Sequence, residues 1–167
     1  GFKRVAFADE IKRIAMRCFG FDPLDLWGSS SRRNNPPPGR DGPTARKVTQ
    51  FLGTEIGREL DPDVWVRLLR DTVAQLMMGM PAASNLSYDY NPIRGLFVRE
   101  GYWPPPPGVV ITDMRFENEV IAVREWGGTL IRLTRGSGLT GEASEHISET
   151  EQDTIPDEAF DVVVAND

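Results

Sequence analysis

Gly108-Val-Val-Ile-Thr-Asp113 is an unbroken apolar run that closes on an acid. A strand with one wet face alternates apolar and polar residues. One that is apolar at every position is expected to be covered on both faces, as in the middle of a parallel sheet. The neighbouring sequence repeats the theme. A helical pattern runs from about Phe116 to Trp126, Gly127-Gly128 turns the chain, and Thr129–Arg135 and Phe160–Asp167 read as further strands. Near the start, residues 4–8 read as a strand and 9–19 as a helix carrying Ile11, Ile14, Ala15 and Cys18 at helical spacing, with Asp9 as N-cap and Gly20 as stop. Strands alternating with helices indicate an α/β fold built on a parallel sheet.

Between these segments the composition changes. Gly28–Pro43 is rich in Ser, Arg, Asn, Pro and Gly and reads as a mobile loop. Thr44 is placed to cap a helix with Val48, Phe51 and Leu52 inward, while Gly53 and Gly57 imply close packing or an early end. Asp61-Pro-Asp63 opens another helix, with Trp65, Leu68, Leu69, Val73, Leu76 and Met77 as its apolar stripe. Residues 82–107 read as irregular, and the polar stretch 136–157 as a second mobile loop.

The 167 residues, 40% hydrophobic and 26% charged, suit a single domain with a real core. No run approaches the roughly 18 apolar residues of a membrane span, and no signal-peptide pattern opens the chain. Cys18 has no internal disulfide partner and reads as a buried structural thiol, so an intracellular, cytoplasmic protein is expected. A net charge of −6 argues against a nucleic-acid polymer as partner. The basic residues gather in the first third, from Lys3 to Arg58, which suits a small phosphorylated ligand held by a few cations.

The chemistry-bearing residues fall into groups. Asp113 stands at the carboxyl end of the clearest strand, where α/β proteins bind ligands. Arg115 follows two residues on and Glu119 a helical turn later. A strand-end aspartate can hold Mg²⁺ or its waters, and an arginine can neutralise a phosphoryl group in transfer. Helix capping by Asp113 and a surface Arg115–Glu119 pair is the plainer alternative. Arg46, Gln50, Thr54 and Glu55 share one helix face, able to grip a phosphate and read a base or sugar, or simply to meet water. Lys12, one turn into the first helix, can reach a phosphate as a point charge or be solvated. Trp65 can stack on a base or belong to the core. His146 lies among Glu145, Ser148 and Glu149, and neither a zinc site nor a Ser-His-Asp arrangement can be argued.

Gly136, Gly138 and Gly141 spell a formal G-x-G-x-x-G after a strand, the dinucleotide fingerprint. The next residues, from Glu142 to Asp153, lack the apolar helix that fingerprint needs. Glu142 also stands where a phosphate loop requires lysine.

Taken in order, Phe7-Ala-Asp-Glu-Ile-Lys12, Arg46–Gln50 with Leu52-Gly-Thr-Glu55, Trp65, Asp113-x-Arg115-x-x-x-Glu119, His146-x-Ser-Glu149 and Ala165-Asn166 resemble the motifs of the bacteriophage deoxynucleoside monophosphate kinases. The resemblance spans most of the chain. It implies a P-loop NTPase fold, a parallel sheet in a three-layer α/β/α sandwich, and transfer of the γ-phosphoryl of ATP to a deoxynucleoside 5′-monophosphate with Mg²⁺. It assigns phosphate contacts to Lys12, Arg46 and Arg115, and the deoxynucleotide pocket to Gln50, Thr54, Trp65 and Glu119. Asp113 would serve the metal or its waters, and Arg135 the ATP side. The resemblance also admits a homodimer.

Such kinases open with a strand, a G-x-x-x-x-G-K-[ST] loop and a helix, whereas these residues start at what corresponds to the second strand. Three other readings stay open. One is a nucleotide-binding module without catalysis, another is a P-loop phosphotransferase acting on other small metabolites, and the last is a dinucleotide-dependent oxidoreductase.

Overall fold

The computed structural model describes residues 1–79, 88–91, 95–98, 104–134 and 154–165. Arg135, His146 with its neighbours, the glycines at 136, 138 and 141, most of the 136–157 loop, and Asn166 lie outside the described residues. The chain forms two compact units, Gly1–Asp113 and Met114–Asp167.

In the first unit, β1 (Lys3–Val5) lies parallel to β4 (Val109–Ile111), with Lys3 opposite Val109 and Val5 opposite Ile111. Between them come α1 (Ala8–Phe19), α2 (Pro23–Trp27), α3 (Ser30–Asn34), α4 (Ala45–Gln50) and α5 (Val64–Met77). Parallel pairing joined by helices is the α/β arrangement the hydrophobic pattern implied. The cover is thinner than expected, however. Val110 is 46% exposed, because a three-residue strand with one described neighbour leaves that face open.

The helix boundaries follow local chemistry. Gly20 stops α1 in the left-handed region at φ 66°, and Arg40 donates to the carbonyls of Phe19 and Gly20 at that same end. Asp9 is not the cap; α1 starts one residue earlier, and the acceptor at its N-terminus comes from elsewhere in the chain. Cys18 is exposed rather than buried, since the last turn of α1 runs past the elements that cover Ile11 and Ala15. The core joins Ala15 of α1, Phe21, Leu26 of α2, and Ala45 and Val48 of α4, with Met16, Trp27 and Leu52 against it.

The Gly28–Pro43 stretch is not structureless throughout. Ser29 accepts from Arg32 N and starts α3, and Arg32 pairs at 2.7 Å with the buried Asp25. Asn34 accepts from Arg46 Nε at 2.7 Å. These side-chain bonds tie a segment of loop-like composition to α2 and α4.

Thr44 caps α4 through Lys47 N, as its position implied. Beyond Gln50 the helix does not stop but widens into a π-helix, Phe51–Arg58, holding the Gly53-Thr-Glu55 stretch. Eight residues of π-helix are unusual, since such turns mostly occur singly and often at functional sites. Both glycines are close contacts. A Cβ at Gly53 would lie 2.9 Å from Ile11 Cδ1, and one at Gly57 would lie 2.4 Å from Trp65 Cζ2.

The two positions should respond differently to alanine. Ile11 Cδ1 is the far end of a flexible side chain and can move. The Trp65 ring is fixed at 6% exposure, with its N–H bonded to Gly53 O at 2.8 Å. Gly57→Ala is therefore expected to cost about 1–3 kcal/mol by overpacking. Gly53→Ala should stay within about 1 kcal/mol of the parent, helped by alanine's helix preference. Urea denaturation of the two variants checks the contrast.

Asp61 and Pro62 precede α5 rather than begin it, and Asp61 folds back to accept from Asp63 N. Residues read as irregular contain a hairpin. β2 (Tyr88–Asn91) pairs antiparallel with β3 (Gly95–Val98), Tyr88 opposite Val98 and Asn91 opposite Gly95.

The second unit holds α6 (Glu117–Glu125), β5 (Ile131–Thr134) and β6 (Val162–Ala165), the strands again parallel with Ile131 opposite Val162. Asp161 accepts from Leu130 N at 2.8 Å and pairs with Arg124. Arg132 reaches Asp157 and the Ile155 carbonyl while its guanidinium lies 4.2 Å from the Phe160 ring centre. Among the described residues no helix is long and apolar enough to cross a membrane.

Candidate anion site at the carboxyl edge of the β1–β4 pair

Two parallel strands end side by side at Val5 and Ile111, and the chain leaves each differently. After β1 it turns within two residues into α1. The first N–H groups of any helix lack partners inside it and carry a positive partial charge. Asp113, two residues past β4, supplies the acceptor. Its Oδ1 accepts from Phe7 N at 2.8 Å and its Oδ2 from Ala8 N at 2.9 Å. The strand-end acid thus caps α1, a helix 105 residues away in sequence, not the helix that follows it.

Burial pushes the Asp113 carboxyl up from its ordinary range. The Ala8 and Phe7 N–H groups oppose that shift, Asp9 adds to it, and Lys12 offsets it. Asp9 is occupied as well. Its Oδ2 accepts from Ala6 N at 3.0 Å and its Oδ1 from the indole N–H of Trp27 at 3.0 Å.

Lys12 lies one turn into α1, with its ammonium 5.5 Å from the centre of the Trp27 ring. Among the described residues it forms no ion pair with either acid. Burial lowers its pKa from 10.5, against the pull of Asp9 and Asp113, and the charges of Arg33 and Arg4 lower it further. A half-buried ammonium near two arginines, facing acids already engaged by N–H donors, is able to receive an anion.

The other expected residues of the first unit lie on the long helix. Arg46 is half-buried and bonded to Asn34. Gln50 is half-buried, and its Nε2 has no hydrogen-bond partner among the described residues. Thr54 is half-buried inside the π-helix. Trp65 lies beneath that helix, its N–H bonded to the Gly53 carbonyl and its ring against Gly57.

In the second unit Glu119 is 2% exposed, and its Oε2 accepts from Arg115 N at 2.8 Å and Phe116 N at 3.2 Å. It caps the start of α6 and fixes the backbone that carries Arg115. Arg135 lies outside the described residues. No group of three or more His, Cys, Asp or Glu able to hold a metal occurs among the described residues.

Sequence reasoning missed Trp27 and misread Asp9 and the capping target of Asp113. A tryptophan one short helix after a strand-to-helix junction was a weak signal. The long-range pairing of Asp113 with α1 had no local one.

No protein-family model matches the chain, and no solved structure matches it significantly. Over 166 residues, covering 99% of this chain and 76% of the relative, it is 29% identical to an Acanthamoeba polyphaga mimivirus protein named "Putative deoxynucleotide monophosphate kinase". The chain is thus similar, along nearly its whole length, to a protein named as a nucleotide kinase.

Proposed function

We propose that the chain carries the acceptor side of a deoxynucleoside monophosphate kinase, which moves the γ-phosphoryl of ATP to a deoxynucleoside 5′-monophosphate. The observation that carries this reading is Lys12. It is a partly desolvated ammonium near the carboxyl end of a parallel strand pair, unpaired with the acids beside it, and an anionic group would satisfy its charge. The similarity to the viral relative supports the same class of reaction.

In this reading Lys12 and Arg46 hold the acceptor phosphate, and Arg115 neutralises charge on the transferring group. Gln50 and Thr54 contact the deoxynucleoside. Trp65 and Glu119 act indirectly, the first by fixing the Gly53 backbone and the second by fixing that of Arg115. Arg135 serves the ATP side. The three-layer P-loop fold belongs to the proposal as well. Little proton chemistry is needed, because phosphoryl transfer depends mainly on positioning and charge neutralisation.

Mg²⁺ asks for one or two carboxylates together with phosphate oxygens and water. Asp113, at the end of β4 and near Asp9, is the residue that would hold the ion or its waters. When bound, the ion would neutralise phosphate charge.

Calorimetric titration with each of the four common deoxynucleoside 5′-monophosphates and with the matching deoxynucleosides tests the acceptor role. The monophosphates should bind at least about tenfold more tightly, the worth of one charge-assisted phosphate contact. Equal affinity for the two series would remove the phosphate site.

A further inference from the structure

Asp9 and Lys12 are three residues apart on one helix, the spacing at which opposite charges ordinarily pair. Here they do not, and the reason is visible in the surroundings of Asp9. Its two carboxylate oxygens are taken by Ala6 N and by the Trp27 indole N–H, both at 3.0 Å. The same indole presents its ring toward the Lys12 ammonium at 5.5 Å. One side chain thus restrains the nearby acid with its edge and lies against the cation with its face. An aromatic face attracts an ammonium without neutralising it, so the cation remains available to a stronger anionic partner. Trp27 is in turn seated against the Ala15–Phe21–Leu26–Ala45–Val48 core, which fixes its ring.

We infer that Trp27 is a positioning residue for the anion site: its indole N–H holds Asp9 away from Lys12 and its ring holds the lysine, so that the ammonium stays free for the phosphate of a nucleotide. This rests on the reading of Lys12 as a phosphate ligand. Removing the indole N–H releases one Asp9 oxygen, which then closes on Lys12 and competes with phosphate.

Trp27→Phe is the informative variant, because it keeps an aromatic ring and removes the donor. Affinity for the tightest-binding deoxynucleoside monophosphate is expected to fall about fivefold, the scale of one partly exposed ion pair. Adding Asp9→Asn to Trp27→Phe should restore it to within about twofold of the parent, because the competing charge is gone. Lys12→Met serves as the control. A Trp27→Phe loss that Asp9→Asn does not rescue would mean that Trp27 merely supports the fold, and would overturn the inference. No loss on Trp27→Phe would overturn it too, while leaving Lys12 as phosphate ligand intact if Lys12→Met still abolishes binding. Unchanged binding by Lys12→Met would instead sink the phosphate reading itself. Should Trp27→Phe fail to fold, the indole ¹H–¹⁵N resonance of Trp27 carries the test. It should shift on Asp9→Asn, and indifference to that change would show that the indole does not hold the carboxylate.

Discussion

Asp113→Ala should lower stability by about 3 kcal/mol, a cost on the scale of emptying a buried core position. The carboxylate accepts from Phe7 N and Ala8 N, and alanine leaves both part-buried donors unpaired at roughly 1–3 kcal/mol each. The loss is also topological, since Asp113 follows β4 whereas Phe7 and Ala8 follow β1. The bonds therefore join two strand ends far apart in sequence, with separations of 106 and 105 residues. Asp113→Asn is milder, about 1–2 kcal/mol, because an amide oxygen accepts one of the two N–H groups while its NH₂ opposes the other.

The pH dependence of this pair has an unusual sign. The folded-state value of Asp113 is raised by burial, so the folded chain holds that proton more tightly than the unfolded one. Its contribution is complete below the ordinary carboxylate value and is lost as pH rises through the folded value. The stability gap between the parent and Asp113→Asn should therefore widen as pH falls. Thermal unfolding across the acid range, read for both proteins, checks this. A gap that narrows in acid would show that the N–H bonds outweigh burial.

Lys12→Met is expected to weaken deoxynucleoside monophosphate binding by about 10–100-fold, the worth of a charge-assisted contact to phosphate. Folding should survive. The ammonium makes no ion pair among the described residues, and its lowered pKa means that the folded state is paying for a buried charge at neutral pH. Lys12 has a folded value below 10.5, so binding that needs its charge is present below that folded value and fades as pH rises through it, before free lysine would titrate. A bound phosphate raises the value again, and binding should take up protons in that alkaline window. Titrations in buffers of different ionisation enthalpy measure the uptake. Affinity that is flat across the window would separate binding from Lys12. The groups facing Lys12 are Asp9, Asp113, Arg33 and Arg4.

The parts of this site differed in how much the sequence showed. The unbroken apolar run 108–113 marked β4 and its terminal acid, and the Ile11–Ala15 spacing marked α1, because both signals are local and periodic. Gly20 and Thr44 were legible for the same reason: one residue type serves one backbone need at a helix end. Gly53 and Gly57 pointed to close packing or an early helix end; the packing is there, the helix runs on, and the partners Ile11 and Trp65 were not legible. The π-helix itself left no trace, since a register of five resembles a register of four over two turns. α3 was hidden by composition, being held by Arg32–Asp25 and Arg46–Asn34 rather than by any apolar face. Cys18 shows the converse error, an apolar-looking position at a helix end that is exposed among the described residues. The pairing of Asp113 with Phe7 and Ala8 depends on which strands lie side by side, and no local pattern encodes that.

The most direct measurement is phosphoryl transfer by the intact protein supplied with ATP, Mg²⁺ and each deoxynucleoside 5′-monophosphate in turn, with nucleotide products separated by ion-exchange chromatography. Stoichiometric ADP and deoxynucleoside diphosphate are expected for at least one base, with the rate at limiting acceptor reduced by Lys12→Met. ATP hydrolysed to ADP without a new diphosphate, or no turnover with any of the four acceptors, would contradict the kinase reading.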